Sequence, residues 1–167
     1  SAEGTLGRKA MEQIYVAGFD VFYPDWKERR YFEYRELCAR YGFEMQAQKA
    51  APNEGKTLGE QIFLKNIQAI ESCQYVAANL NTFRGKEPDS GTCFEIGYAY
   101  ALGKKIYGYL EDDRTMLEKM GAAADENGFA VEDFDLPVNL MLGCTAVIVK
   151  GGLEDCLKEM RRREGRD

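Results

Sequence analysis

One glutamate stands out in the sequence because all its neighbours are uncharged. From Cys93 to Leu102 the only charged residue is Glu95, and Asp89 lies six positions before it. A carboxylate in apolar surroundings destabilises a fold unless a partner compensates it. Two carboxyl groups near one helix start can differ in pKa and divide the roles of nucleophile and acid. Capping or ion pairing without any catalytic role explains the same spacing.

A tyrosine and a glycine end the first apolar run, Tyr15-Val-Ala-Gly18. Side chains alternate along a strand, so Tyr15 and Ala17 share one face, from which the tyrosine hydroxyl can orient Glu95. Gly18 has no side chain and lets a ligand approach the backbone closely. A half-buried tyrosine of the core is the structural alternative.

Aromatic and amide side chains complete the set of candidates. Phe22 and Trp26 lie in the loop after this first run, where a planar base can stack on them or where they cover the core. Asn53 and Asn66 carry amides that can hydrogen-bond base edges or hydroxyl groups, although each residue type is also common in turns and on surfaces. The chain has no histidine, so acid–base chemistry near neutral pH falls to carboxylates, tyrosines, cysteines or lysines.

Strands and helices alternate along the chain. Short apolar runs predict strands at residues 13–17, 43–47, 75–80, 105–110 and 145–149. Helical spacing predicts helices at residues 27–41, 57–73, 90–102, 114–120 and 153–163, with one helical turn at 139–142. Thr57 and Glu60 have the spacing of a capping box.

This alternation predicts an α/β fold, a single-domain flavodoxin-like sheet of five parallel strands in the order 2-1-3-4-5 with helices on both faces. The domain is expected to span residues 13–167, after a flexible lead at residues 1–12. Ligands of such sheets bind at the carboxyl ends of the strands, where the loops at Gly18, Asn81 and Cys144 open.

Composition excludes several classes of protein. The net charge of −6 argues against binding to a nucleic-acid backbone. No apolar run approaches the roughly 20 residues of a membrane span, and the polar residues 1–11 do not resemble a secretory leader. The five cysteines show no CxxC spacing and are expected to be reduced, buried thiols. We therefore expect a cytoplasmic protein with neither a metal nor an organic cofactor.

The chain resembles the nucleoside 2-deoxyribosyltransferases, including the protozoan-type members. The resemblance runs from residue 13 to about 160 and is carried by residues 14–18, 65–70, 78–85, 87–97 and 136–141. Its most specific parts are Phe-Arg-Gly at 83–85 and Pro-Asp-Ser-Gly-Thr-Cys-Phe-Glu-Ile-Gly at 88–97.

The resemblance implies roles for the candidate residues. Glu95 matches the nucleophile of the family and Tyr15 the tyrosine that positions it. Asp89 matches an aspartate that contacts the substrate and helps protonate the departing base.

The resemblance also implies a binding pocket. Phe22 and Asn53 fall in segments of the base pocket, and Asn66 serves for hydrogen bonding. Asn139 and Met141 match residues that a neighbouring subunit lends to the 5′ side of the sugar, which implies a homodimer or a higher homo-oligomer with shared sites.

The implied activity is transfer of the 2-deoxyribosyl group between nucleobases, with retention, through a covalent ester on Glu95. The partners are a 2′-deoxyribonucleoside and a free nucleobase, and the context is nucleotide and purine salvage. A hydrolase of deoxynucleosides or of their 5′-monophosphates is the first alternative, although residues 18–26 carry two acids and no basic group for a phosphate. A non-catalytic nucleotide-binding module is the second.

Overall fold

Five parallel strands form one sheet in the computed structural model, which describes residues 11–47 and 55–165. The strands are β1 (Glu12–Ala17), β2 (Phe43–Met45), β3 (Tyr75–Asn79), β4 (Lys105–Leu110) and β5 (Val147–Lys150). Their order, β2-β1-β3-β4-β5, confirms the prediction. Ile14 of β1 pairs with both Met45 and Tyr75, so β1 lies between β2 and β3, where the strand order reverses. In sheets of this kind ligands bind at the carboxyl ends of the strands beside such a reversal.

Within the described ranges, six α-helices connect and cover the strands. They are α1 (Tyr31–Arg40), α2 (Leu58–Ser72), α3 (Ser90–Ala101), α4 (Met116–Met120), α5 (Leu140–Gly143) and α6 (Leu153–Glu164). The capping box before α2 is confirmed, since Thr57 Oγ1 accepts from Glu60 N at 3.2 Å and Glu60 Oε2 accepts from Thr57 N at 2.7 Å. Among the described residues, no helix has the length and apolar character needed to cross a membrane.

The two faces of the sheet carry separate hydrophobic clusters, as the predicted helices on both faces require. Ile14 and Val16 of β1 pack with buried residues of α1 and α6. Tyr15 and Ala17, which alternate with them, pack on the other face with residues of α2 and α3. The face toward α2 and α3 therefore holds both Tyr15 and the helix that carries Glu95.

Several element boundaries differ from the prediction, and hydrogen bonds give the reason for two of these differences. The first helix begins as a π-helical turn, Trp26–Arg30, because Arg30 N donates to Asp25 O at 3.2 Å and the Asp25 carboxyl also binds the Arg29 and Arg30 side chains. The fifth strand starts two residues late because Thr145 donates through both its backbone N–H and its hydroxyl to Leu142 O.

The cysteine prediction is confirmed only in part. All five cysteines are free thiols, but Cys144 is exposed and Cys93 is half-buried, so burial holds for the other three. Residues 1–10, most of the expected lead, lie outside the described residues, and β1 already begins at Glu12.

A Gly108→Ala change is expected to lower the free energy of unfolding by about 1–3 kcal/mol through overpacking. A methyl group there would press on the buried Leu80 side chain, with Leu80 Cγ at 3.1 Å. Urea denaturation measures the change. The matched control is Gly59→Ala in the open first turn of α2, which should leave stability equal or raise it by up to about 1 kcal/mol. Equal stability of the Gly108 variant and the parent chain would contradict the packing argument.

Candidate active site

A tyrosine–glutamate pair lies across the α2–α3 face of the sheet. The Tyr15 side chain comes from β1 and is 4% exposed, while Glu95 lies in the second turn of α3 and is half-buried. The Tyr15 hydroxyl donates a hydrogen bond to Glu95 Oε2. No described residue hydrogen-bonds the other oxygen, Oε1, which leaves it available to a ligand.

The surroundings shift the pKa values of both groups. Burial raises the pKa of Glu95 from 4.5 to about 7; the Tyr15 hydrogen bond opposes that rise and the negative charge of Asp89 adds to it. Burial, and then the Glu95 charge, raise the pKa of Tyr15 well above its ordinary value. Tyr15 therefore keeps its proton and remains a hydrogen-bond donor at every pH at which Glu95 titrates.

Asp89 stands at the N-terminus of the same helix. Its Oδ2 accepts hydrogen bonds from Thr92 N at 3.0 Å and from Thr92 Oγ1 at 2.9 Å, so the residue caps α3. Its other oxygen, Oδ1, receives no hydrogen bond from the described part of the chain. The capping bonds fix the carboxyl group in place and leave one oxygen for a substrate.

Gly18 directly follows β1 in a crowded position. A side chain there would meet Asp20 Oδ2 and would stand 2.8 Å from Asn79 Cβ. The sequence predicted that a ligand approaches the backbone closely at Gly18. These two buried residues limit the space for that approach. Neither was a candidate at the level of sequence, although Asp20 is one of the two acids noted in that loop.

Three nearly parallel phenylalanine rings come from the segments that follow β1 and β3. Phe83, from the loop after β3, stacks on Phe19 with ring centres 4.9 Å apart and on Phe22 with centres 5.4 Å apart. The guanidinium of Arg84 lies over Phe22 and Phe83. Phe22 is 55% exposed, so part of its ring remains free for a base to contact.

Of the two alternatives for Trp26, the structure supports the second, in which the side chain belongs to the core. This residue is buried and packs edge-on against Tyr34, with ring centres 5.3 Å apart, in the core toward α1. Phe83 takes its place beside Phe22. The Phe-Arg-Gly segment pointed to this loop, but sequence alone did not show that the ring would stack with those of the first loop.

The amide candidates lie in different surroundings. Asn66 is a half-buried residue of α2, and its side chain forms no hydrogen bond with a described residue. Asn53 lies outside the described residues.

The segment before α5 holds Asn139 within its own chain. Asn139 Oδ1 accepts from Met141 N at 2.8 Å, which caps α5, and Asn139 Nδ2 donates to Glu132 Oε1 at 2.9 Å. Met141 is 72% exposed. Val138 and Leu142 pack on the α3 side of the sheet, so this segment lies against the helix that carries Glu95.

Metal ligands are not assembled in the part of the chain that the structure describes: no three of its His, Cys, Asp or Glu side chains are grouped to hold an ion. Fold and site together define an α/β protein in which a buried tyrosine donates a hydrogen bond to a half-buried carboxyl group of raised pKa, beside the strand-order reversal.

Comparisons with known proteins agree with this description. A family model, nucleoside 2-deoxyribosyltransferase, matches residues 14–141. A 2-deoxyribosyltransferase from Leishmania mexicana is 36% identical with a TM-score of 0.77, over 90% of this chain and 97% of that one. A conserved protein from Enterococcus faecalis, 23% identical with a TM-score of 0.59, covers 92% of this chain and 99% of its own, and shares the fold. Curated protein sequences give no match.

The chain belongs to the nucleoside 2-deoxyribosyltransferase family. It is accordingly an enzyme of that class, as the resemblance in sequence implied.

A Glu95→Gln change is expected to stabilise the protein in a pH-dependent way. Because the pKa of Glu95 is raised to about 7 in the folded state, ionisation destabilises the fold between pH 4.5 and 7 and fully above pH 7. The variant and the parent should match near pH 4, and the variant should gain up to about 3 kcal/mol at pH 8. Urea denaturation across this range measures the difference.

The matched control for that experiment is Glu71→Gln, since Glu71 is an exposed glutamate that also accepts a tyrosine hydrogen bond, from Tyr98 at 2.8 Å. A stability difference at position 95 that does not change between pH 4 and pH 8 would mean that Glu95 is not strained by burial.

Proposed function

We propose that the enzyme transfers the 2-deoxyribosyl group between nucleobases of 2′-deoxyribonucleosides by double displacement with retention. The observation that carries this proposal is the Tyr15–Glu95 hydrogen bond, which fixes one carboxylate oxygen and leaves the other open. Family membership and the similarity to the Leishmania 2-deoxyribosyltransferase support the class of reaction.

In the first displacement, Glu95 Oε1 attacks C1′ of the sugar and the C1′–N bond breaks through an oxocarbenium-like transition state. The bonding electron pair passes to the base nitrogen, and a proton from the Asp89 carboxyl group neutralises the departing base. Tyr15 donates to Oε2 throughout and so holds the carboxylate in the direction of attack. The product is a deoxyribosyl ester of Glu95.

In the second displacement, a nitrogen of another base attacks C1′ from the side that the first base left. The ester C–O bond breaks, its electron pair returns to Glu95, and Asp89 takes up the proton of the incoming base. Two inversions restore the β-anomer. The chemistry exchanges bases without a cofactor, which suits salvage of nucleobases.

Substrate contacts follow from the same arrangement. We assign the exposed part of Phe22, with Gly18 and Asn53, to the base side of the pocket, and Asn66 to hydrogen bonding. A sugar without a 2′-hydroxyl is favoured, since that group withdraws electrons from the oxocarbenium-like centre. We assign a cytoplasmic location to the enzyme on the grounds of composition alone.

Replacing the nucleophile is the direct test. Glu95→Ala should lower transfer by at least about 10⁴-fold, because a covalent route is lost, while circular dichroism stays unchanged. Deoxyinosine with adenine, and thymidine with adenine, are incubated and separated by chromatography. The exposed Glu71→Ala variant is the matched control. A Glu95 variant with a tenth of parental activity would refute the assignment, and free deoxyribose in place of the new nucleoside would show a hydrolase.

Tyr15→Phe should move the acid limb of the pH profile upward. A protonated Glu95 is not a nucleophile, so kcat/KM should fall below the pKa of about 7. The Tyr15 hydrogen bond lowers that pKa, and its removal raises it. Initial rates between pH 5 and 9 measure the limb, with Tyr98→Phe, which loses an exposed bond to Glu71, as control. An unmoved or lowered limb would show that the bond does not favour the ionised nucleophile.

We also propose that α5 of a neighbouring subunit completes each site through Asn139 and Met141, in a homodimer or a higher symmetric homo-oligomer. The exposure of Met141 supports the proposal. Against it stands the use of the Asn139 amide within its own chain.

Subunit mixing tests this shared site. Inactive Glu95→Ala chains mixed equally with inactive Asn139→Ala chains should regain about a quarter of parental activity, because half the dimers are mixed and one of their two sites is native. Subunit exchange is verified by mass spectrometry. Exchange without recovered activity would place the whole site within one chain.

A further inference from the structure

A second carboxyl group is buried at the same edge of the sheet, on the opposite face from Glu95. Asp20 lies in a 3₁₀ helix, Phe19–Phe22, directly after β1, and is 4% exposed. Its Oδ1 accepts from the Tyr34 hydroxyl at 2.7 Å, and its Oδ2 accepts from Asn79 Nδ2 at 3.1 Å. Donors from α1 and β3 therefore occupy both oxygens, and the catalytic scheme uses neither.

The hydrogen bonds continue from Asp20 across the sheet edge. Asn79 Oδ1 accepts from Asn81 N at 3.0 Å and from Asn81 Nδ2 at 2.8 Å. Asn81 Oδ1 in turn accepts from Glu111 N at 3.0 Å. One chain of side-chain bonds thus joins the loops that follow β1, β3 and β4.

The loops after β1 and β3 are joined a second time by the phenylalanine rings. Phe83 lies almost parallel to Phe19, at 3° between ring planes, and to Phe22, at 10°. Gly18 is confined between Asp20 and Asn79, with no room for a side chain. The path of residues 18–22 therefore depends on a polar contact beneath it and on ring stacking beside it.

We propose that Asp20 is a positioning residue of the active site, which holds the Gly18–Phe22 segment in place through Asn79 and Tyr34. The inference rests on the proposed function, because that segment is assigned there to the nucleobase. Asp20 acts on base binding and not on the chemical step, since its contacts lie on the face of the sheet away from Tyr15 and Glu95.

Each of the two donors that bond the carboxyl group at position 20 requires its own acceptor oxygen. The Asn79 carbonyl oxygen is already used by Asn81, so its amide nitrogen must face Asp20. An asparagine at position 20 has a single carbonyl oxygen, and in either orientation it leaves the Tyr34 proton or the Asn79 amide without its acceptor. A buried donor left in this way weakens the contact substantially.

Exchanging the two side chains restores the match between hydrogen-bond donors and acceptors. In the double variant Asp20→Asn with Asn79→Asp, the new amide at position 20 donates to the new carboxylate at position 79. Its carbonyl oxygen accepts from Tyr34, and the second carboxylate oxygen accepts both donors of Asn81. The number of bonds and the total charge are the same as in the parent, so the double variant should regain what each single variant loses.

The experiment measures KM for the acceptor base, kcat and the acid limb of the pH profile in the transfer assay. Asp20→Asn and Asn79→Asp should each raise KM about tenfold, with kcat within about threefold of the parent and the acid limb unmoved. The double variant should return KM to within about threefold of the parent. Tyr34→Phe should raise KM about threefold. The matched control is Tyr41→Phe, which removes a hydrogen bond to Glu154 at the far end of α1 and should leave KM unchanged.

Hydrogen–deuterium exchange of a peptide that covers residues 18–22 gives a readout that does not need activity. Exchange should be faster in each single variant and slow again in the double variant. If the parent enzyme shows no transfer, the proposed function fails, while this measurement still decides the positioning role. Should a single variant fail to fold, the double variant and Tyr34→Phe decide it.

Four results would overturn the inference. The first three are a KM in Asp20→Asn equal to the parent, a double variant no better than the worse single one, and equal exchange of residues 18–22 in all the variants. A moved acid limb in Asp20→Asn would also contradict it, since that would show an effect on Glu95 and not on the base.

Discussion

Tyr15 and Glu95 meet across one face of the sheet through a single hydrogen bond, and the surrounding structure is arranged around that contact. It needs β1 inside the sheet, between β2 and β3, and α3 packed closely over it. Ile96 and Ala99, on the buried side of α3, have no exposed surface and supply that close packing. The same packing removes water from Glu95 and raises its pKa, so the site and the strain on the fold have one origin.

Burial of the Glu95 carboxyl group is locally unfavourable, and the rest of the chain stabilises it. A hydrophobic cluster on each face supplies most of the favourable burial, and α6 closes the face away from Glu95 through Leu157 and Met160. Asp89 serves both the fold and the site, because its bonds to Thr92 cap α3 and at the same time orient the carboxyl group. A chain with these ties can keep a carboxylate in an apolar helix without losing its fold.

Local sequence patterns predicted the features that depend on near neighbours. Alternating strands and helices predicted the sheet and its order, Thr57 and Glu60 predicted a helix start, and the uncharged stretch around Glu95 singled that residue out. Each of these patterns involves residues that lie close together in the sequence, within a few helical turns or one strand. The position of Tyr15 could be predicted in part. Strand alternation fixes the face of the sheet on which its side chain lies, but it does not identify the hydrogen-bond partner.

Features that depend on distant residues were not predictable in the same way. Asp20 and Asn79 are 59 positions apart, and only the folded sheet edge shows that they share a hydrogen bond. The sequence predicted a loop position for Trp26, whereas the residue begins a π-helical turn and is buried against Tyr34 of α1. The packing of side chains from separate elements decided both outcomes, which residue type and spacing cannot specify.

The three carboxyl groups at this edge differ in how many of their oxygens the protein itself uses. Both oxygens of Asp20 accept hydrogen bonds from buried or half-buried donors, so this group can act only through the structure it holds. Asp89 and Glu95 each have one oxygen that is hydrogen-bonded within the chain and one that no described residue bonds. A bonded oxygen fixes direction and an open one can meet a sugar or a base, so chemistry is assigned to these two. All three groups are side-chain carboxyls of aspartate or glutamate, so residue type does not separate them. The number of oxygens that are hydrogen-bonded within the protein does.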